Sequence, residues 1–287
     1  MGMAMRLRVA WLGCLIAVAC ALGGRADAGV LDRLRQDKTL RIAYRTDAPP
    51  FSFIDSSDVP TGFMVNLCRA VAQQLKAQLK LDDIKLDYVL VTAANRFDAI
   101  TTGKADILCD PTSETLTRRE QVDFSIATFI DGAGVLVRGN EPSDFHEFAG
   151  KKIGVLAGTT TEQEVRNSIA ANKMQTEVVL AKTHDEGLAM LDAGQIAAYF
   201  ADRSILQTLI RRSKAPDDLH LAQNYMTLEP YALALPRGDE DFRLAVDRAL
   251  SHIYRSDDIA SIMQHAFGNA PPSNMLQMLY GISALPD

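Results

Sequence analysis

The sequence lacks most of the patterns that announce catalysis. No G-x-S-x-G, G-x-x-x-x-G-K-S/T or H-E-x-x-H occurs, which removes nucleophile-elbow hydrolases, P-loop nucleotide enzymes and the commonest zinc peptidases. Gly132-Ala133-Gly134 opens like a dinucleotide fingerprint, but Val137 stands where the third glycine belongs and no helix pattern starts there. There is no C-x-x-C, and His146, His184, His220, His252 and His265 are scattered, so neither a redox pair nor a metal set is spelled out. Tryptophan is nearly missing: the one copy, Trp11, lies in the first apolar run. Basic clusters are missing too, and a formal charge of −6 argues against nucleic acid and anionic membrane surfaces as partners.

Long apolar runs are also absent, with one exception. Arg6 and Arg8 lead a run of fourteen residues from Val9 to Leu22, followed by Gly23, Gly24 and Ala26-Asp27-Ala28. The run is shorter than the roughly 20 residues of a spanning helix and ends in an A-x-A cleavage site, so residues 1–28 read as a cleavable signal peptide and the mature chain as periplasmic. Cys20 follows Ala17-Val18-Ala19, without the leucine that a lipoprotein box places three residues earlier. Cleavage after Ala28 leaves 27 basic against 35 acidic side chains, a formal charge near −8. Cys68 and Cys109 remain, in a compartment that permits disulfides. A bridge and two buried thiols are both compatible with the sequence.

What is present is an alternation of short apolar runs with amphipathic stretches, the pattern of α/β units. Leu40 to Tyr44, Ile84 to Val91 and Ala105 to Cys109 read as strands, and Leu67, Val71, Leu75 and Leu79 recur on one helix face. Arg96 to Thr102 reads as a short helix closed by Gly103. From Gly132 the rhythm restarts, with strands at 135–137, 153–156, 178–180 and 197–201 and helices at 162–171, 184–191 and 203–212. A strand from Tyr231 to Leu235 and helices at 239–254 and 257–266 close the chain. No Gly/Ser-rich linker separates the halves, which suits two lobes joined by short strands with a cleft between them.

Four segments resemble the bacterial family 3 solute-binding proteins, the periplasmic amino-acid receptors of ABC importers. They are Tyr44-Arg45-Thr46-Asp47-Ala48-Pro49-Pro50-Phe51-Ser52-Phe53 with Gly62-Phe63, Thr92-Ala93-Ala94-Asn95-Arg96-Phe97, Ala105-Asp106-Ile107-Leu108 running on to Arg118-Arg119-Glu120-Gln121-Val122-Asp123-Phe124-Ser125, and Gly154-Val155-Leu156-Ala157-Gly158-Thr159-Thr160. The resemblance implies an α/β, two-lobed, type II periplasmic-binding-protein-like fold with two open sheets joined by a two-strand hinge. Lobe one would comprise residues 29–129 and 230–287, and lobe two residues 130–229. It further implies a monomer that takes an amino acid, hands it to an inner-membrane permease, and needs no cofactor or metal.

The same resemblance assigns roles. Arg118 takes the position of the fork for the ligand α-carboxylate, a planar bidentate task that suits guanidinium; the alternative is a solvated surface arginine beside Arg119. Ser113 and the Thr159-Thr160 turn add donors to that carboxylate, or simply cap a helix. Asp202 matches the acceptor for the ammonium, or an N-cap. Arg45, Arg96 and His184 fall where the glutamate/aspartate-binding branch holds its ligand side chain, implying an acidic amino acid. The alternatives are an Arg45–Asp47 ion pair, a helix-face Arg96 and a capping His184. Two departures leave a neutral polar amino acid open: Ala93 replaces a serine of that branch, and Asp110-Pro111 replaces a small Gly-Ser pair at the cleft rim. Asp110 would neutralise a cleft arginine, repel a dicarboxylate or recruit a second ammonium. An enzyme of the cyclohexadienyl dehydratase kind on the same scaffold would need a general acid, for which Glu114, Glu162 and Glu229 are the candidates. A sensing domain without transport is the third reading.

Overall fold

The computed structural model describes residues 29–139, 143–269 and 271–286. The expected signal peptide, with Trp11 and Cys20, lies outside the described residues.

Two five-stranded sheets organise the chain. In the first, Lys85–Leu90, Thr39–Tyr44 and Ile107–Leu108 run parallel, while Ala234–Leu235 joins antiparallel to Ile107–Leu108 and Asp123–Phe124 pairs antiparallel with Ala234–Leu235 in turn. The second repeats the scheme. Glu177–Ala181, Lys152–Leu156 and Ala198–Asp202 are parallel, followed by antiparallel Ala133–Arg138 and Leu219–Leu221. Ala133–Arg138 is buried along almost its whole length, the unbroken apolar pattern of a strand covered on both faces. Helix Phe63–Leu79 turns Leu67, Val71 and Leu75 into the first core, as the four-residue spacing predicts, and leaves Leu79 half-buried.

The chain passes between the sheets in a two-stranded antiparallel ribbon, Phe129–Asp131 against Glu229–Tyr231. The continuous strand expected over 231–235 is therefore divided. Tyr231 ends the ribbon, and only Ala234–Leu235 join the first sheet. Where the ribbon enters the second lobe, a Cβ on Gly132 would overlap the Thr227 carbonyl, so the close approach of the two crossings needs glycine. At its other end an aromatic cluster grips it. Phe129 stacks on Phe267 at 5.3 Å and meets Phe51 at 5.0 Å, while Tyr231 meets Phe51 at 5.5 Å. Tyr254 Oη donates to the Ala127 carbonyl at 2.9 Å and Tyr280 Oη to that of Thr128 at 3.2 Å.

Cys68, on helix Phe63–Leu79, and Cys109, just past strand Ile107–Leu108, form a disulfide with Cα atoms 6.3 Å apart. The bridge ties a core helix to the strand end that carries Asp110. Sequence periodicity gave no sign of the small sheet Asp47–Ala48, Ser52–Ile54, Pro60–Thr61, because strands of two or three residues are too short to show a period.

Candidate functional site

The sequence-selected residues converge where the parallel strands of both sheets end. Arg45 follows Thr39–Tyr44, Asp110 follows Ile107–Leu108, and Arg96 opens helix Arg96–Thr101 after Lys85–Leu90. From the other lobe, Thr160 opens helix Thr160–Ala171, His184 opens His184–Asp192, and Asp202 ends Ala198–Asp202. Carboxyl ends of parallel strands are the usual binding edge of such sheets.

Local sequence fixes two of these helix starts in the same way. Thr159 Oγ1 accepts from Glu162 N at 3.1 Å while Glu162 accepts from Gly158 N at 2.8 Å. Thr183 and Glu186 repeat this, with Glu186 accepting from Lys182 N at 2.6 Å. These are Thr-x-x-Glu starts related to the capping box, with the Glu reaching one residue further back, to the amide before the cap, and they present Thr160 and His184 as the first helical residues. Thr159 also donates to the Leu156 carbonyl at 2.8 Å, so its hydroxyl is engaged in capping. Asp202 sits at an N-cap position yet makes no side-chain capping bond, which leaves its carboxylate turned to other partners.

The two lobes touch through these residues. Thr160 donates to Glu229 at 2.6 Å, so the 3.2 Å contact between the Ser113 and Thr160 hydroxyls has Ser113 as donor. Arg96 Nη2 donates to the Gly158 carbonyl at 3.4 Å. The lobes are thus closed on each other around a charged interior.

The adjacent arginines part ways. Arg119 lies outward, 55% exposed, and pairs with Glu114. Arg118 turns inward. Its Nη1 donates to the Ser113 carbonyl at 2.7 Å and its guanidinium lies 5.3 Å from the Phe97 ring centre, with that of Arg96 4.7 Å from the same ring. Burial lowers the Arg118 pKa, with Asp110, Glu229 and Asp202 acting in the opposite direction. Burial, together with Arg118 and Arg45, brings that of Arg96 down to about 9, with Asp110 opposing.

Asp110 is not at the rim. Its side chain is 0% exposed, one oxygen accepts from the Thr112 hydroxyl, and the other, Oδ2, lies 3.8 Å from Arg96 Nε. Neither Oδ2 nor Arg96 Nε has a hydrogen-bond partner among the described residues. Arg45 is held in a two-point ion pair by Asp47, at 2.9 and 3.0 Å. His184 Nδ1 shares a hydrogen with Tyr199 Oη at 3.0 Å. Burial, then Arg45, pushes its pKa down to about 3, so the ring is neutral. Tyr199 in turn sits against Gly187, where a Cβ would overlap its ring. Asp202 is pushed up to about 8 by burial and by Asp131 and Glu229.

The family model for bacterial extracellular solute-binding proteins, family 3, matches residues 40–269. The chain belongs to that family. Among curated relatives, this family 3 chain is 29% identical over 257 residues to the L-glutamate/L-aspartate-binding protein of Pseudomonas aeruginosa, covering 89% of this chain and 85% of the relative. It is 24% identical over 259 residues to the glutamate/aspartate import solute-binding protein of Escherichia coli, covering 90% and 86%. Among solved structures it resembles an ancestral amino acid-binding protein described as a precursor of cyclohexadienyl dehydratase. The TM-score is 0.72 at 24% identity, covering 84% of this chain and 100% of the other. That likeness shows the fold, the two-lobed type II periplasmic-binding-protein architecture.

Sequence reasoning missed Phe97 as the ring that both arginines approach, and it missed Thr112, Tyr199 and Tyr231. Phe97 lay inside a quoted segment beside Arg96 and was readable as a cation–π partner. Tyr231 is brought to Asp202 only by the ribbon, and nothing local signals that.

Proposed function

We propose that this chain is the periplasmic solute-binding component of an amino-acid importer, taking up an α-amino acid with a polar side chain between lobe one, residues 29–129 and 230–287, and lobe two, residues 130–229. One observation carries the reading. An inward-turned Arg118 and a non-capping Asp202, each within electrostatic reach of the other, set a cation and a carboxyl group that ionises beside an ammonium between the facing strand ends. A zwitterion leaving water needs that pair, a donor fork for its carboxylate and an acceptor for its ammonium, or desolvation wins. Arg118 with Ser113 and Thr160 receives the carboxylate, and Asp202 receives the ammonium. The partners are the amino acid and an inner-membrane permease, and the protein acts as a monomer.

The acids nominated for an enzyme are otherwise occupied. Glu114 pairs with Arg119, Glu162 with Arg166 and the Gly158 amide, and Glu229 accepts from Thr160 and Thr227. Binding without turnover is the reading this supports.

The test is a thermal-shift screen of the mature protein against the common amino acids, their amine and deaminated analogues, and small dicarboxylates. A ligand at 100 times its Kd stabilises the native state by about 2.7 kcal/mol, or roughly 5–11 °C for a chain of this size. Shifts are expected only with compounds that keep both the α-carboxylate and the ammonium. Shifts with none of them, or conversion of a prephenate-like substrate followed by absorbance, would overturn the reading.

Asp202 adds a pH signature to closure. With its pKa near 8 in the closed, empty cleft and near the ordinary value of about 4 when the cleft opens to water, the closed form binds an extra proton between those limits. The sign follows: ligand-free closure grows as pH falls from about 8 to about 6.5, above the range in which His184 would take up a proton on opening, and is suppressed above about 8. Scattering on the ligand-free protein should show compaction over that window, and Asp202→Asn should flatten the curve. A flat wild-type curve would refute this role.

A further inference from the structure

We propose that the side-chain end of this site is built for a primary amide, so that glutamine or asparagine is taken in preference to glutamate or aspartate. The inference rests on the solute-binding reading above and names the substrate class of the same site.

The first observation is the charge balance. Arg45 and Arg96 would be the cations for a second ligand carboxylate, but each already faces a carboxylate of its own. Asp47 holds Arg45 through two hydrogen bonds, with side chains 12% and 3% exposed. Asp110 faces Arg96, with side chains 0% and 3% exposed. His184 contributes no charge and is engaged by Tyr199. Two guanidinium and two carboxylate groups leave the side-chain end neutral, whereas a dicarboxylate ligand would bring an uncompensated negative charge into it. A buried charge without a partner is heavily penalised.

The second observation is what remains unpaired. Arg96 Nε carries a hydrogen with no acceptor, and Asp110 Oδ2 is an acceptor with no donor. They lie 3.8 Å apart, both buried. Elsewhere on the two side chains, one hydrogen each of Arg96 Nη1 and Nη2 goes to the Ala93 and Gly158 carbonyls, and Asp110 Oδ1 accepts from Thr112. A group that completes the pair must offer an acceptor and a donor on neighbouring atoms. A primary amide does so, its carbonyl oxygen accepting from Arg96 Nε and its NH2 donating to Asp110 Oδ2. An ionised carboxylate of the same shape satisfies Arg96 but sets its second oxygen, which has no hydrogen, against Asp110, and two carboxylates cannot share such a site without one taking up a proton. An ammonium satisfies Asp110 but meets Arg96. Selection between glutamine and glutamate, which fill the same space, therefore falls to Asp110.

The experiment is calorimetric titration of the mature protein, stripped of bound ligand by unfolding and refolding, with glutamine, asparagine, glutamate and aspartate. Glutamine or asparagine is expected to bind at least 100-fold more tightly than either dicarboxylate. Asp110→Asn, which keeps the shape and removes the charge, is expected to narrow that ratio at least tenfold, with the acidic ligands gaining. If the wild type binds glutamate or aspartate as tightly as the amides or more so, the inference falls while the solute-binding function stands. If no amino acid binds, both fall together. The wild-type ranking decides the matter even if Asp110→Asn fails to fold.

Discussion

Arg118→Ala is expected to weaken binding of every amino acid, whatever its side chain, by roughly 30- to 4000-fold, while Arg119→Ala leaves all affinities within about twofold. Removing one partner of a desolvated, hydrogen-bonded charge pair costs about 2–5 kcal/mol, whereas an exposed ion pair such as Arg119–Glu114 is worth little. The two residues are neighbours in sequence, share one short helix, Leu116–Arg119, and differ in direction. Thr115 caps that helix by accepting from Arg118 N at 3.1 Å, which fixes the turn that sends Arg118 under Phe97. Calorimetry on the pair checks this. Equal losses at both positions would mean that Arg118 holds no carboxylate.

Replacing both Cys68 and Cys109 by alanine is expected to lower stability by about 4 kcal/mol on chain entropy, given their separation of 41 residues. At this chain length that corresponds to a melting temperature lower by roughly 8–16 °C. Affinity should fall with it, because Asp110 and the Thr112–Ser113 segment hang directly from Cys109. Melts of the wild type with and without reductant, beside the double variant, measure the first effect, and titration measures the second. Unchanged melting would place the constraint elsewhere in the core.

Much of the architecture was legible because its long elements carry periodic signals. The helix over 203–212 was read with its bounds, and the strands 39–44 and 152–156 to within a residue. Legibility failed where tertiary geometry overrides the local pattern. Residues 231–235 form one apolar run that the fold divides between ribbon and sheet, and no periodicity marks the break at Ala232 and Leu233. The disulfide stayed undecided because spacing alone does not separate a bridge from two buried thiols. In the site, residue types were visible and directions were not. The sequence lists Arg45, Arg96, His184 and Asp110, but only three-dimensional placement shows Asp47 gripping Arg45, Tyr199 on His184, and Asp110 on the floor beneath Arg96.

The ribbon between the lobes is held by different means at its two ends, by aromatic rings at one and by hydrogen bonds at the other. Phe129 and Tyr231 are set among Phe51, Phe63 and Phe267, and the Ala127 and Thr128 carbonyls just before Phe129 are moored by Tyr254 and Tyr280. Beyond Asp131 the glycine crossing follows, held by Arg203 N donating to the Gly132 carbonyl, Ala133 N to Thr227 Oγ1 and Ser204 N to Asp131 Oδ2. Any swing of one lobe against the other therefore leaves the C-terminal helices with the frame and not with the moving arm. Substitutions at Tyr254 or Tyr280, which touch no cleft residue, would act on how fast the arm moves and leave what it holds unchanged.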